Sequence, residues 1–170
     1  VPDLPQKIRE QILQRAAGIP FYLEEILRML IDAGVMRQEG VNQWRLTANA
    51  EAAIPRVPDT LQDLILARFD RLNEAQRLVL QIASVIGRQF SVRVLEQVAA
   101  LVKYLSPLEA SGLIRLANAQ PETEYLFRHA LVQEAAYSSL VKQDRRQLHL
   151  AVGEVLERLY PERLELLAPV

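Results

Sequence analysis

His129 and the basic group Lys142, Arg145, Arg146 and His149 are the side chains whose types and spacing could meet an anion. His129 stands between a short alternating run, Glu124–His129, and the helical pattern that opens at Leu131, a seat from which an imidazole can reach a phosphate. The same seat suits a histidine satisfied by backbone at a helix start. Arg128 is a phosphate ligand on the first reading and a solvated surface residue on the second. The basic group is diluted by Asp144 and Glu154, so it reads as the exposed face of the last helix rather than a row of phosphate contacts. Trp44 offers a docking residue or, in better keeping with a short hairpin, a half-buried cover for a small core.

The chemistry that is missing narrows the function further. A nucleotide cradle needs consecutive N–H groups at a helix start plus a cation. The three lysines, Lys7, Lys103 and Lys142, each follow a residue other than glycine, so no Gly-x-x-x-x-Gly-Lys-[Ser/Thr] is present. No strand ends in an acidic pair suited to magnesium, no Ser-His-Asp order is recognisable, and the glutamates fall on solvated helix faces. The sequence has no cysteine and two histidines, which removes thiolate chemistry and leaves too little for a histidine-based metal site. The expectation is a non-catalytic chain: catalytic residues none, metal ligands none.

Charge narrows the partners. Twenty basic residues against twenty-one acidic give a net charge of −1, without the footprint of a nucleic-acid binder. No apolar run approaches the ~18 residues of a membrane span. The chain starts at Val1 without a signal-like segment and reads as a piece of a longer soluble, cytoplasmic protein.

The elements that must position these residues are mostly helices. At 170 residues and 50% hydrophobic, the chain can fill one core or two small ones. Pro5–Ala17 predicts a helix with Ile8, Ile12 and Ala16 inward, stopped by Gly18. Pro20 opens the next helix, to about Ala33, with a stripe of Leu23, Ile26, Leu27, Leu30 and Ile31 and with Glu25 outside it. A hairpin, Val35–Gln38 with Gln43–Thr47, turns at Gly40 and Asn42. Ala48–Pro58 reads as a connector, and Thr60 to Asp63 as a capping box opening a helix to Leu72.

From Asn73 the pattern changes. Asn73 caps a nearly all-apolar helix ending at Gly87, which predicts burial on all sides. Ser91 caps a helix to about Ala100, and helical residues resume around Val102 and stop at Gly112. Two short strands follow, Leu113–Ala117 and Glu124–His129, then helices Leu131–Val141 and Asp144–Tyr160. Three helices followed by a two-stranded wing is the order of a winged helix. The divisions expected are 1–72, 73–141 and 142–170.

Four stretches carry a family resemblance: Gly18-Ile19-Pro20-Phe21-Tyr22-Leu23-Glu24-Glu25; Val57-Pro58-Asp59-Thr60-Leu61, running on to Ala67-Arg68-Phe69-Asp70-Arg71-Leu72; Ala83-Ser84-Val85-Ile86-Gly87-Arg88-Gln89-Phe90; and Tyr125 to Tyr137 around Phe127-Arg128-His129-Ala130. In this order they resemble the region after the nucleotide-binding core of bacterial signal-transduction ATPases of the STAND class, often fused to nucleotidyl cyclases, kinases or transcription regulators. The resemblance implies a mainly α chain: a helical lid with a small hairpin over 1–72, a winged helix over 73–141, and a C-terminal helix over 142–170 leading to helical repeats. It implies ATP or ADP with magnesium in a parent protein and no cofactor in this chain alone.

By the same resemblance, Gly18 and Pro20 lie near the adenine of a bound nucleotide. The family has Asn between them, and Ile19 stands here. His129 matches the histidine of a Met-His-Asp triplet that contacts the β-phosphate of ADP in the closed, resting state, but Ala130 replaces the aspartate. The implied partners are an upstream nucleotide-binding domain and downstream repeats of the same chain. The apolar Leu164, Leu166 and Leu167 offer a face that another copy can cover. A DNA-reading winged helix is the alternative, and its recognition segment Val102–Gly112 offers Lys103 opposed by Glu109, which argues against DNA. A helical protein-interaction scaffold is the third reading. Family members also carry polar residues between the second and third helices of the winged helix. Val92–Leu105 contains no Gly, Asn, Asp or Pro, so a break between Ala99 and Lys103 is expected.

Overall fold

The computed structural model describes residues 5–39, 44–47 and 57–162. The chain is mainly helical, with two small antiparallel sheets, and divides into two compact units, Val1–Ala67 and Arg68–Val170.

In the first unit, α1 (Gln6–Ala16) buries Ile8, Ile12 and Ala16, one residue per turn as their spacing requires. It ends at Ala17 and Gly18, both in the left-handed region (φ 48° and 77°), and Pro20 then occupies the first turn of α2 (Pro20–Asp32). The buried face of α2 is Tyr22, Glu25, Ile26, Met29 and Leu30, which corrects the expected stripe. Leu23 and Leu27 only edge the core, Ile31 is exposed, and Glu25 lies inside. The rotation follows from Tyr22, whose hydroxyl donates to the Pro58 carbonyl at 2.5 Å and so turns that edge of the helix inward.

Gly34 (φ 67°) ends α2 by letting the Val35 N–H reach back to the Leu30 carbonyl at 2.9 Å. Strands β1 (Met36–Gln38) and β2 (Trp44–Leu46) then pair antiparallel, Met36 opposite Leu46. Trp44 packs half-buried against the core, as a cover rather than a free surface. The turn expected at Gly40 and Asn42, the connector as far as Arg56, and the apolar face of Leu164, Leu166 and Leu167 lie outside the described residues. Helix α3 (Leu61–Asp70) opens at Thr60, whose Oγ1 accepts the Asp63 N–H at 3.1 Å and donates to its carboxylate at 2.6 Å.

The second unit takes in the last turn of α3, where buried Arg68 donates to the Ser111 carbonyl. Its centre is α4 (Glu74–Ile86), which packs against all four later α-helices among the described residues: α5 (Val92–Val98), α6 (Leu105–Ala110), α7 (Ala130–Ser138) and α8 (Lys142–Leu159). Val79, Leu80, Ile82 and Ala83 are buried, but Leu78 is 38% exposed, so the helix is buried on one side and not on all sides as expected.

A strand that the sequence pattern does not predict, β3 (Gln89–Ser91), follows Gly87. It pairs with β5 (Glu124–Phe127), which pairs with β4 (Ile114–Asn118), giving the order β3-β5-β4. Phe90, Tyr125, Phe127, Ile114 and Leu116 share one face, buried at Phe90, Phe127 and Ile114 and open at Leu116, and the Phe90 and Phe127 rings lie 5.7 Å apart.

Between α5 and α6 the residues given form a turn rather than one merged helix. Helix α5 stops at Val98 rather than near Ala100. Ala99 is extended, the Leu101 N–H reaches back to the Ala99 carbonyl at 2.7 Å, and a 3-10 turn, Val102–Tyr104, leads into α6.

Candidate functional site

The residues expected at a nucleotide fall in separate units: Gly18 and Pro20 in the first, His129 in the second. Each is set by local rules. Gly18 has φ 77°, and a Cβ built on it meets nothing within 4 Å, so its glycine answers a backbone need rather than a close approach. Pro20 begins α2, and Ile19 between them is extended and 46% exposed. The turn is therefore a surface feature of its unit.

His129 is the N-cap of α7. Its backbone is extended (φ −139°, ψ 146°), and its Nδ1 accepts the Leu131 N–H at 3.2 Å. An acceptor Nδ1 carries no proton, so a neutral ring in this pose holds its proton on Nε2. The cap reading of His129 and a donor role toward an anion are thus compatible, because they use different nitrogens. Arg128 is exposed, and its N–H donates to the Leu113 carbonyl at 3.1 Å. Ala130, which follows it, is exposed and brings no carboxylate.

The basic group has a structural occupation. The Arg145 guanidinium sits 4.4 Å from the Tyr137 ring centroid and donates to the Tyr137 and Leu140 carbonyls at 3.2 and 3.1 Å. His149 Nε2 lies 3.0 Å from the Tyr137 hydroxyl. Two of the four side chains are committed to one tyrosine. Among the described residues, no group of three or more His, Cys, Asp or Glu could hold a metal ion.

The four stretches noted in the sequence come together two by two. Tyr22 of the first bonds to Pro58 of the second. Arg15 reinforces that join, donating to the Val57 carbonyl and pairing with Asp59 at 3.3 Å. The residues of Val57-Pro58-Asp59-Thr60 are therefore each engaged. Val57 is buried, Pro58 accepts from Tyr22, Asp59 pairs with Arg15, and Thr60 caps α3. The third and fourth stretches pair as β3 and β5, and Gln133 Nε2 donates to the Ser84 carbonyl at 3.3 Å. Sequence reasoning missed Arg15 and Tyr22 as organisers. Their signal was a polar residue on an otherwise apolar helix face.

None of the family models searched matches the chain, and no solved structure matches it. A stretch of 140 residues, 79% of this chain, is 26% identical to an uncharacterized protein of Rhizobium meliloti (strain 1021). The chain spans 13% of the length of that relative. Among the described residues, no helix is long and apolar enough to cross a membrane.

Proposed function

We propose that this chain is a non-catalytic regulatory segment of a nucleotide-switched signalling ATPase of the STAND class, coupling ATP or ADP state to an output domain. On this reading the first unit belongs to a helical lid and the second to a winged helix followed by a C-terminal helix. The observation that carries it is His129 at the exit of the β4–β5 hairpin, capping α7 with Nδ1 committed to the Leu131 N–H. The order α4-β3-α5-α6-β4-β5, with β5 in the middle of the sheet, supports the winged-helix assignment. So does the match to a small part of a much longer protein, as expected of one segment in a multidomain chain.

A bound nucleoside diphosphate supplies anionic oxygen acceptors. His129 would donate to one of them from Nε2, while the Gly18–Pro20 turn would lie against the base. A ligand shifts a two-state equilibrium only by its differential affinity, and a hydrogen bond involving a charged group contributes about 1.5–3 kcal/mol. In the parent protein, His129→Ala is expected to weaken ADP binding about tenfold or more and to raise basal output. Unchanged ADP affinity and unchanged basal output would return His129 to a purely capping role. The isolated chain should show no ATPase activity and no micromolar ATP binding by calorimetry.

A DNA-reading function meets opposition where a reader needs cations. In α6, the Glu109 carboxylate accepts the Leu116 N–H at 3.1 Å, and Glu122 stands in the loop that joins β4 to β5. Binding to mixed duplex DNA that weakened steeply with salt would reverse this reading.

A further inference from the structure

The loop between β4 and β5, residues 119–123, is anchored by one carboxylate reached from three directions. Glu122 Oε2 accepts the Tyr160 hydroxyl at 2.5 Å and the Ser91 hydroxyl at 3.4 Å, and Oε1 pairs with the Arg93 guanidinium at 3.3 Å. Ser91 is itself the N-cap of α5, its oxygen accepting the Arg93 N–H at 3.1 Å. Tyr160 is the residue at which α8 ends, and just before it Arg158 donates to Gln97 of α5 at 2.8 Å. The loop, the start of α5 and the end of α8 therefore share a single acceptor. The Tyr160 hydrogen bond, followed by the Arg93 charge, holds the Glu122 carboxyl below the usual glutamate range. Burial, and then acceptance by Glu122, holds the tyrosine hydroxyl above its own.

We propose that Glu122 is a latch through which the end of α8 controls the order of the β4–β5 loop, so that displacement of that helix end is transmitted to the loop and displacement of the loop to the helix end. Besides the Arg158–Gln97 bond, which joins α8 to α5 without touching the loop, the remaining ties of the loop are local to it. The Val92 N–H meets the Thr123 carbonyl at 2.9 Å, and Ser91 pairs with Glu124 in the sheet, so neither reports on α8. Among these ties, Tyr160 is what brings the end of α8 to the carboxylate. Two sites coupled through a shared group must influence each other reciprocally. The proposal rests on the second unit and does not require the nucleotide reading.

The test is hydrogen exchange by mass spectrometry on the 170-residue chain and three variants, Tyr160→Phe, Glu122→Gln and the double substitution. Tyr160→Phe removes one hydroxyl and leaves the ring. It is expected to speed exchange in residues 119–123 roughly three- to tenfold, the scale of one lost hydrogen bond to a charged group at a partly exposed site. Glu122→Gln should speed exchange in residues 156–162 by a similar factor, and the double variant should add little to either. Exchange in α4 should not move in any variant, which separates an opened latch from general unfolding. Should a glutamine disturb the loop's fold, Glu122→Asp retracts the carboxylate while keeping its charge and should reproduce the effect at 156–162. A Tyr160→Phe variant whose loop exchanges at the wild-type rate overturns the proposal, as do additive effects in the double variant.

Discussion

Two helix–helix corners in the second unit are built on the same plan and secured differently. At the α3–α4 corner, Arg77 lies 5.6 Å from the Phe69 ring centroid and donates to the Asp70 and Leu72 carbonyls at 3.2 and 3.4 Å. At the α7–α8 corner, Arg145 lies 4.4 Å from the Tyr137 ring centroid and donates to the Tyr137 and Leu140 carbonyls. In both, the arginine follows its aromatic partner by the same interval of chain and satisfies the carbonyl end of the preceding helix. In both, the arginine Nε is buried without a hydrogen-bond partner.

The helix starts differ. Asn73 accepts the Gln76 N–H at 2.8 Å and Gln76 returns the bond at 3.2 Å, whereas Val141 has no side-chain cap and is 62% exposed. Local sequence signals carry the first corner, and a cluster of Arg145, Tyr137 and His149, the last edge-on to the tyrosine ring, carries the second. A basic cluster can thus be the fastening of a corner.

The largest expected effect tests the aromatic halves. Phe69 is 3% exposed, so Phe69→Ala should cost about 3–5 kcal/mol in urea unfolding. Tyr137 is only half-buried, so Tyr137→Ala should cost about 1–2 kcal/mol by lost burial. Equal losses would show that ring burial does not distinguish the corners.

The arginines should reverse the ranking. Substitution by methionine keeps the aliphatic stem and removes the guanidinium. Arg145→Met should cost about 2 kcal/mol and Arg77→Met about 1 kcal/mol, since the first loses a closer ring contact at a helix without a cap. A larger loss at Arg77 would mean that the Asn73 box does not carry its corner.

A third pair sharpens the comparison from the capping side. Asn73→Ala should cost about 1 kcal/mol, and Val141→Asn should gain about as much, because Val141 already has the extended backbone of a cap (φ −69°, ψ 154°). Failure of Val141→Asn to raise the unfolding midpoint would show that Arg145 leaves no capping deficit.

The smallest effect lies outside both corners and gives a pH reference. Because the folded state lowers the Glu122 pKa, its contribution is present above the unfolded value and is lost as pH falls through the folded one. Wild type and Glu122→Gln should therefore differ in urea midpoint near neutral pH and converge in acid. A difference that persisted in acid would trace to packing.

The contrast between the corners also explains what was legible in the sequence. Asn73, Ser91, Gly34 and Gly112 mark boundaries through backbone chemistry that acts within a few residues, and each stands where an element begins or ends. The α7–α8 boundary has no such residue. The group Lys142, Arg145, Arg146 and His149 carried no mark of its partner, because Tyr137 lies on the preceding helix. Strand β3 was invisible for a related reason: so short a run cannot show an alternation, and Gln89–Ser91 is a strand only because β5 lies beside it. The inward face of α2 escapes a local reading because it depends on Pro58, far along the chain. At the candidate site, the cap position of His129 was legible as a helix start, whereas a phosphate partner would be supplied from outside these residues.

The carboxylate of Glu109 has a further consequence for how this protein behaves in a crowded solution. Strand β4 is an outer strand of its sheet, and Leu116 on it is 42% exposed, the combination that invites a foreign strand to add by backbone pairing. The Leu116 N–H that such a strand would need is already occupied by Glu109, and the occupant is charged. That position of the edge is thereby closed to a foreign strand by a carboxylate that α6 supplies.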